Sequence, residues 1–175
     1  MSLNLLFNDA KARAITDGAY YSCALNLIRS CQHQCLSSMF IIDHSLDRED
    51  VTLVDTLLIE LASAHWRGVE TQLLIGGSRT NARIRGSALL AKVRAQELGI
   101  DTRLAAAVKA SSSHTKLLIA DDWVLTGSHN WSRSMVGGQI QDSVLVQSKT
   151  LSAELRSYFE FQWKDAWSEE YDVSI

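Results

Sequence analysis

Apolar residues recur every three or four positions in four segments of the chain, the spacing that gives a helix one apolar face. The clearest stripe belongs to the second segment, where Val54, Leu57, Leu58 and Leu61 fall on one side of a helix. The pattern predicts helices over 19–32, 48–66, 81–98 and 151–167. The third is expected to stop at Gly99, because glycine is common just past the end of a helix.

Short β-rich runs, bounded by turn residues, alternate with these helices. They predict strands over 37–42, 70–75, 102–104, 115–120, 123–126 and 143–147. Asp121 and Asp122 alone separate two of the runs, which is typical of a tight hairpin. Alternating strands and long helices indicate the α/β class, with a mixed β-sheet flanked by helices on both faces.

The length of 175 residues suits one domain, and we predict a single domain over 1–175. The chain has no proline and no Gly/Ser-rich tract that would form a linker. No run approaches the roughly 18 apolar residues that a membrane span needs, so none is predicted. The first residues lack the basic lead and cleavage site of a secretory signal.

Cysteine usage favours a reducing compartment. The three cysteines, Cys23, Cys31 and Cys35, are odd in number and contain no CxxC pair, so we expect no disulfides and a cytoplasmic location. Cys31, His33 and Cys35 form a C-x-H-x-C pattern, but it lacks a fourth ligand at the usual spacing. Neither a metal nor another cofactor is predicted.

Charge is distributed unevenly. The net charge of −3 argues against a protein that coats nucleic acid by bulk electrostatics. Between Arg79 and Lys116, however, eight basic residues stand against two acidic ones. This basic stretch is expected to attract an anion.

The residues that indicate chemistry lie in 114–132. His114 and Lys116 are two apart on a predicted strand and therefore project from the same face. If the next strand returns antiparallel, Ser128 and Asn130 lie near them. All four side chains can contact phosphate oxygens, and an imidazole can either attack phosphorus or protonate a leaving alkoxide.

This pattern, H-x-K-x4-D followed by G-S-x-N, resembles the HKD signature of the phospholipase D superfamily. The resemblance implies that His114 is the nucleophile or the acid, and that Lys116 and Asn130 are phosphate-oxygen donors. It further implies that Ser128 supplies a supporting hydroxyl and that Asp121 arranges the site through hydrogen bonds.

Two departures from the family pattern stand out. Five residues separate Asp121 from Gly127, where six is commoner, so the hairpin should be one residue tighter. Many members carry a glutamate about thirteen residues after the motif serine to orient the histidine, and here Gln141 occupies that position with Asp142 beside it. Either could accept a hydrogen bond from the imidazole.

The superfamily uses two histidines per active site, yet this chain has one motif. None of its four other histidines is followed two positions later by lysine. We therefore predict an obligate homodimer, with both copies of His114 close to the two-fold axis.

Candidates for contact with nucleic acid follow from charge and position. Basic residues in or near the motif are expected to bind the phosphate backbone, and Trp131, next to Asn130, to line the entrance and stack on a base or contact the partner chain. His129 lies on the opposite strand face and is expected to be structural. The basic candidates are Arg79, Arg83, Arg85, Lys109 and Arg133.

Three functions are compatible with the sequence. We expect a metal-independent endonuclease that hydrolyses DNA or RNA through a covalent phosphohistidine. A phospholipase D-type lipid phosphodiesterase or phosphatidyl transferase would use the same intermediate, although such members usually carry two motifs. The third alternative is a non-catalytic nucleic-acid-binding component of a larger system.

Overall fold

A computed structural model of the chain describes residues 9–44, 51–78, 80–105 and 113–166. Within these residues one sheet has the strand order β1-β7-β6-β5-β2-β3-β4. Its strands are β1 (Lys11–Thr16), β2 (Gln34–Met39), β3 (Glu70–Ile75), β4 (Asp101–Leu104), β5 (Lys116–Ala120), β6 (Trp123–Gly127) and β7 (Asp142–Gln147). The helices are α1 (Ala19–Ser30), α2 (Val51–Trp66), α3 (Ala82–Glu97) and α4 (Lys149–Lys164), with a 3₁₀ turn over Arg133–Met135.

The sheet is mixed, because β2, β3 and β4 run parallel while β5, β6, β7 and β1 pair antiparallel in turn. The predicted hairpin is confirmed, since β5 and β6 pair antiparallel with Ala120 opposite Trp123. The predicted α/β class is likewise confirmed.

Apolar side chains pack in two layers, one on each face of the sheet. On one face, buried residues of α1, α2 and α3 pack against alternate strand residues such as Leu73 and Leu118. On the other face, Phe159 and Trp163 of α4 pack against Leu117 of β5. Since successive strand residues point to opposite faces, the strands at the centre of the sheet are buried on both sides.

One strand was missed, and most predicted boundaries differ from the observed ones by one to three residues. β1 was not predicted, and β2 begins and ends three residues before the predicted strand over 37–42. α1 ends at Ser30 instead of residue 32. The predicted start of the helix over 48–66 lies outside the described residues.

Candidate active site

The end of β2, the start of β5, the end of β6 and the start of β7 lie on the same side of the sheet, here called the site edge. They bring together residues that are far apart in the sequence. Met39 at the end of β2 pairs with Lys116 at the start of β5, and Gly127 at the end of β6 pairs with Ser143 of β7. The segments that follow β2 and β6 and the segment that precedes β5 therefore lie at the same edge. This edge is where the motif residues of 114–130 meet, with the exception of Asp121.

His114 and Lys116 are in direct contact there. The ammonium Nζ of Lys116 lies 3.2 Å from Nδ1 and 3.4 Å from Nε2 of His114, and it donates to the His114 carbonyl oxygen at 3.0 Å. The imidazole is exposed, whereas Lys116 is only 8% exposed. An exposed imidazole thus lies in contact with a nearly buried ammonium.

Phe40, which follows β2, contacts both His114 and Lys116 through its ring. Its ring centroid lies 4.4 Å from that of His114 and 5.1 Å from Nζ of Lys116, and its backbone N–H donates to the Thr115 carbonyl at 2.8 Å. Burial lowers the pKa of Lys116 from its ordinary value. Sequence reasoning missed Phe40, because nothing distinguishes it from any other aromatic residue in a buried strand.

Ser128 fastens the end of β6 to the start of β7. Its hydroxyl donates to the Asp142 carbonyl at 3.0 Å and accepts from the Asp142 N–H at 3.1 Å. Gly127 makes this approach possible, because a Cβ there would overlap the Asp142 carbonyl and the Cα and Oγ of Ser143. Ser128 therefore supports the site through the backbone.

Asn130 is oriented by the backbone that follows β2. Its Oδ1 accepts from the Ile41 N–H at 3.1 Å. Because a backbone N–H can bond only to an acceptor, this contact fixes which end of the amide is the oxygen. The Nδ2 amino group is then the end that can donate to a phosphate oxygen.

The two candidates for orienting His114 lie at the site edge but do not bond to it in the single chain. The amide of Gln141 is buried and donates to the Ser134 carbonyl at 2.9 Å. Asp142 is exposed at the first position of β7. Among the described residues, the His114 ring has one hydrogen-bonding partner, Lys116.

Asp121 lies at the opposite end of β5, about 16 Å from its start at roughly 3.3 Å per strand residue. Its carboxylate accepts the N–H groups of Gln32, His33 and Gln34 at 2.8 to 2.9 Å. Burial acts to raise the pKa of Asp121, but the three N–H donors outweigh it, so the pKa is lowered. The structure therefore does not bring Asp121 to the site.

The prediction that Trp131 lines an entrance is wrong, since its side chain is fully buried. Its backbone N–H donates to the Ile41 carbonyl, and its indole Nε1 donates to the Tyr20 hydroxyl at 3.3 Å. His129 is buried beside it, as expected of a structural residue. The His129 ring stacks on Tyr20 at 4.4 Å and contacts Ser143 Oγ at 2.8 Å.

A groove of 440 Å³ opens beside Asn130, and Arg83 and Arg133 both line it. Arg85 lies on α3 but is not part of its wall. The other two basic candidates, Arg79 and Lys109, lie outside the described residues. Two of the five predicted basic residues are thus adjacent to a motif residue.

Within 9–44, 51–78, 80–105 and 113–166, no group of three or more His, Cys, Asp or Glu side chains is placed to hold a metal ion. None of the helices in these ranges is long and apolar enough to cross a membrane. The thiols of Cys23, Cys31 and Cys35 are free.

Residues 24–163 match the sequence profile of the family described as "Cardiolipin synthase, PLD-like domain". A comparison with curated protein sequences gives no match.

Several solved structures share the fold. A phospholipase D family member, Nuc, from Salmonella typhimurium has a TM-score of 0.71 and 17% identity, covering 92% of this chain and 99% of its own. NucT from Helicobacter pylori has a TM-score of 0.62 and 14% identity, with 91% and 99% covered. Phosphatidylserine synthase from Haemophilus influenzae has a TM-score of 0.66 and 11% identity, covering 90% of this chain but 37% of its own.

Proposed function

The chain belongs to the phospholipase D superfamily of phosphodiesterases, and from that premise we propose that it is a nuclease that hydrolyses DNA or RNA without a metal ion. The observation that carries the proposal is the exposed imidazole of His114 in contact with the nearly buried ammonium of Lys116. A nucleophile and a fixed positive charge within one hydrogen bond of each other are what attack on an anionic phosphodiester requires.

The reaction proceeds in two displacements. A ring nitrogen of His114 attacks phosphorus, the bond from phosphorus to the leaving oxygen breaks, and a second imidazolium gives its proton to that oxygen. Water then attacks the phosphohistidine, giving a proton to the second imidazole, and the phosphorus–nitrogen bond breaks. Lys116 and the Nδ2 of Asn130 stabilise charge on the non-bridging oxygens in both steps.

The second imidazole is supplied by another copy of the chain. The described residues contain one H-x-K motif, so a single chain holds half of the catalytic set. In an isologous dimer, the same edge of both copies meets, and each His114 serves the shared phosphate.

Exposed apolar residues near this edge support the dimer. Ile140, which directly precedes Gln141, is 99% exposed, and Val136 in the same segment is 45% exposed. Full burial against a partner contributes roughly 1.5 to 3 kcal/mol for a side chain as exposed as that of Ile140, and less for the half-buried Val136. A surface of this kind next to an incomplete site favours self-association there.

Charge favours nucleic acid over lipid. Arg83 and Arg133 lie beside Asn130, where their positive charges attract a polyanionic strand towards the site. The family description names cardiolipin synthase, which makes lipid transfer the second candidate.

A digestion panel tests the proposal. Single-stranded DNA, duplex DNA, RNA and a fluorogenic phospholipid are incubated with the protein in EDTA, alongside His114→Ala. We expect cleavage of nucleic acid that His114→Ala abolishes. Release of lipid headgroup with intact nucleic acid would establish the second candidate, and loss of all activity on chelation would contradict the metal-free mechanism.

A further inference from the structure

The groove beside Asn130 has a wall of mixed charge. Arg83 and Arg133 contribute cations, and Asp43 contributes a carboxylate. Its Oδ1 lies 3.4 Å from the Ser87 hydroxyl, which donates to the Ile42 carbonyl at 2.7 Å. Ile84 adds an apolar surface from the first turn of α3. The groove therefore differs from a purely cationic channel.

The two guanidiniums outnumber the carboxylate, so net charge alone does not select the occupant, but a phosphodiester group carries no hydrogen-bond donor for that carboxylate. The same carboxylate favours an exocyclic amino group, which donates hydrogen bonds to acidic side chains in base recognition. Arginine recognises the complementary features of a base, by donating to its ring nitrogens and carbonyls or by stacking on its face. Nucleobases combine all of these features on a flat apolar frame.

The dimensions agree with this occupant. At 440 Å³, the groove falls within the range of roughly 300 to 1,000 Å³ typical of small-molecule sites. In a duplex, the bases are paired and stacked, so a base can enter a concave site only from an unpaired strand or after extrusion from the helix. Asn130 is shared between the groove and the phosphate site, so a base bound there belongs to a nucleotide next to the scissile bond.

We propose that this groove binds the nucleobase of an unpaired nucleotide next to the cleaved phosphodiester, which makes single-stranded nucleic acid the substrate class. The inference rests on the proposed function, because the groove lies next to a cleaved bond only if His114 acts on nucleic acid. Base binding itself can be measured without catalysis.

Binding to the His114→Ala protein is measured by fluorescence anisotropy with four labelled probes of equal length. These are a DNA strand, the same sequence as RNA, its DNA duplex, and a strand in which every nucleotide lacks its base. We expect the intact DNA or RNA strand to bind at least about fivefold more tightly than the abasic strand. This factor is the lower end of the range of affinity that one base contact provides. The duplex should bind more weakly than the strand, and the DNA and RNA arms identify the sugar.

Ser87→Leu, which fills the groove from α3, should remove most of this preference, and Ser157→Leu on the exposed face of α4 should leave it unchanged. If Ser87→Leu does not fold, as judged by circular dichroism, Asp43→Asn replaces it.

Equal affinity for intact and abasic strands would overturn the inference. Cleavage by the wild-type protein is scored separately: cleavage without base preference removes only the groove assignment, and base preference without cleavage removes only the nuclease assignment.

Discussion

The ammonium of Lys116 lies nearly equidistant from the two ring nitrogens of His114, at 3.2 Å from Nδ1 and 3.4 Å from Nε2. The ammonium is therefore close to both nitrogens, and in the proposed mechanism either of them would act beside a positive charge. Phe40 holds the ammonium in a partly apolar setting, where its charge acts more strongly on a bound anion than it would in water.

Replacing this ammonium should separate activity from stability. We expect Lys116→Met to lower kcat on a labelled oligonucleotide by about 10² to 10³, the usual effect of removing one charge-stabilising donor. Its melting temperature should stay the same or rise, because burial already disfavours the charged form of Lys116. Lys164→Met, at the exposed end of α4, is the matched control and should change neither quantity. Wild-type kcat in Lys116→Met would rule out the assigned role.

Gly127 offers a test of the contact between β6 and β7. A Cβ at this position overlaps backbone and side-chain atoms of Asp142 and Ser143, so Gly127→Ala should lower the free energy of unfolding by about 1 to 3 kcal/mol. It should also lower kcat, because Ser128 and Asn130 follow directly. Gly86→Ala, inside α3 with no atom within 4 Å of its added Cβ, should instead stabilise by about 0.5 to 1 kcal/mol. Urea unfolding of both variants compares the two effects.

Asp121 should behave as a stability residue. Asp121→Ala leaves three backbone N–H groups without their acceptor, so we expect a loss of about 2 to 3 kcal/mol in unfolding free energy. Activity per folded molecule should stay within about twofold, because the carboxylate lies at the far end of β5. A large fall in kcat with an unchanged melting temperature would show that Asp121 acts on the chemistry.

The buried histidines should make stability depend on pH. Burial lowers the pKa of His129 from 6.5, and it lowers that of His44 in the same direction. The unfolded chain therefore binds protons more readily than the fold below about pH 6.5, and stability should be constant above that pH and fall as the pH decreases through the lowered pKa. Melting temperatures from pH 8 to 5 test this. His129→Gln should flatten the profile, whereas His65→Gln, at an exposed position, should retain the wild-type slope.

Subunit mixing tests whether two chains share one active site. When wild-type and His114→Ala chains are unfolded together and refolded at different ratios, activity should follow the square of the wild-type fraction, because each site needs both imidazoles. Light scattering on the same samples should give the mass of a dimer. A linear dependence, or an active monomer, would contradict the shared site.

The sequence predicted the parts of the site that are local. His114 lies two residues before Lys116, the first residue of β5, and the β5–β6 hairpin needs only its own turn, so the contact between the two side chains could be expected from their spacing. His129 could be assigned a structural role by the same alternation, and it is buried.

Features set by distant contacts could not be predicted. β1 (Lys11–Thr16) lies at the sheet edge with only Ile15 buried, so it carries no apolar pattern and is recognisable only from its pairing with β7. Trp131 follows a polar motif that suggested exposure, but its bridge to Ile42 turns the indole into the core. The Phe40 contact likewise depends on the approach of β2 to β5.

The hydrogen bonds of Asp121 also set an order of events during synthesis. The N–H groups at 32–34 bond to a carboxylate 87 to 89 residues later in the chain. The central strand β2 likewise gains its second neighbour only from β5. A nascent chain that has emerged from the ribosome only as far as β4 therefore leaves one side of β2 unpaired, a surface on which chaperones or other nascent chains can act until the hairpin emerges.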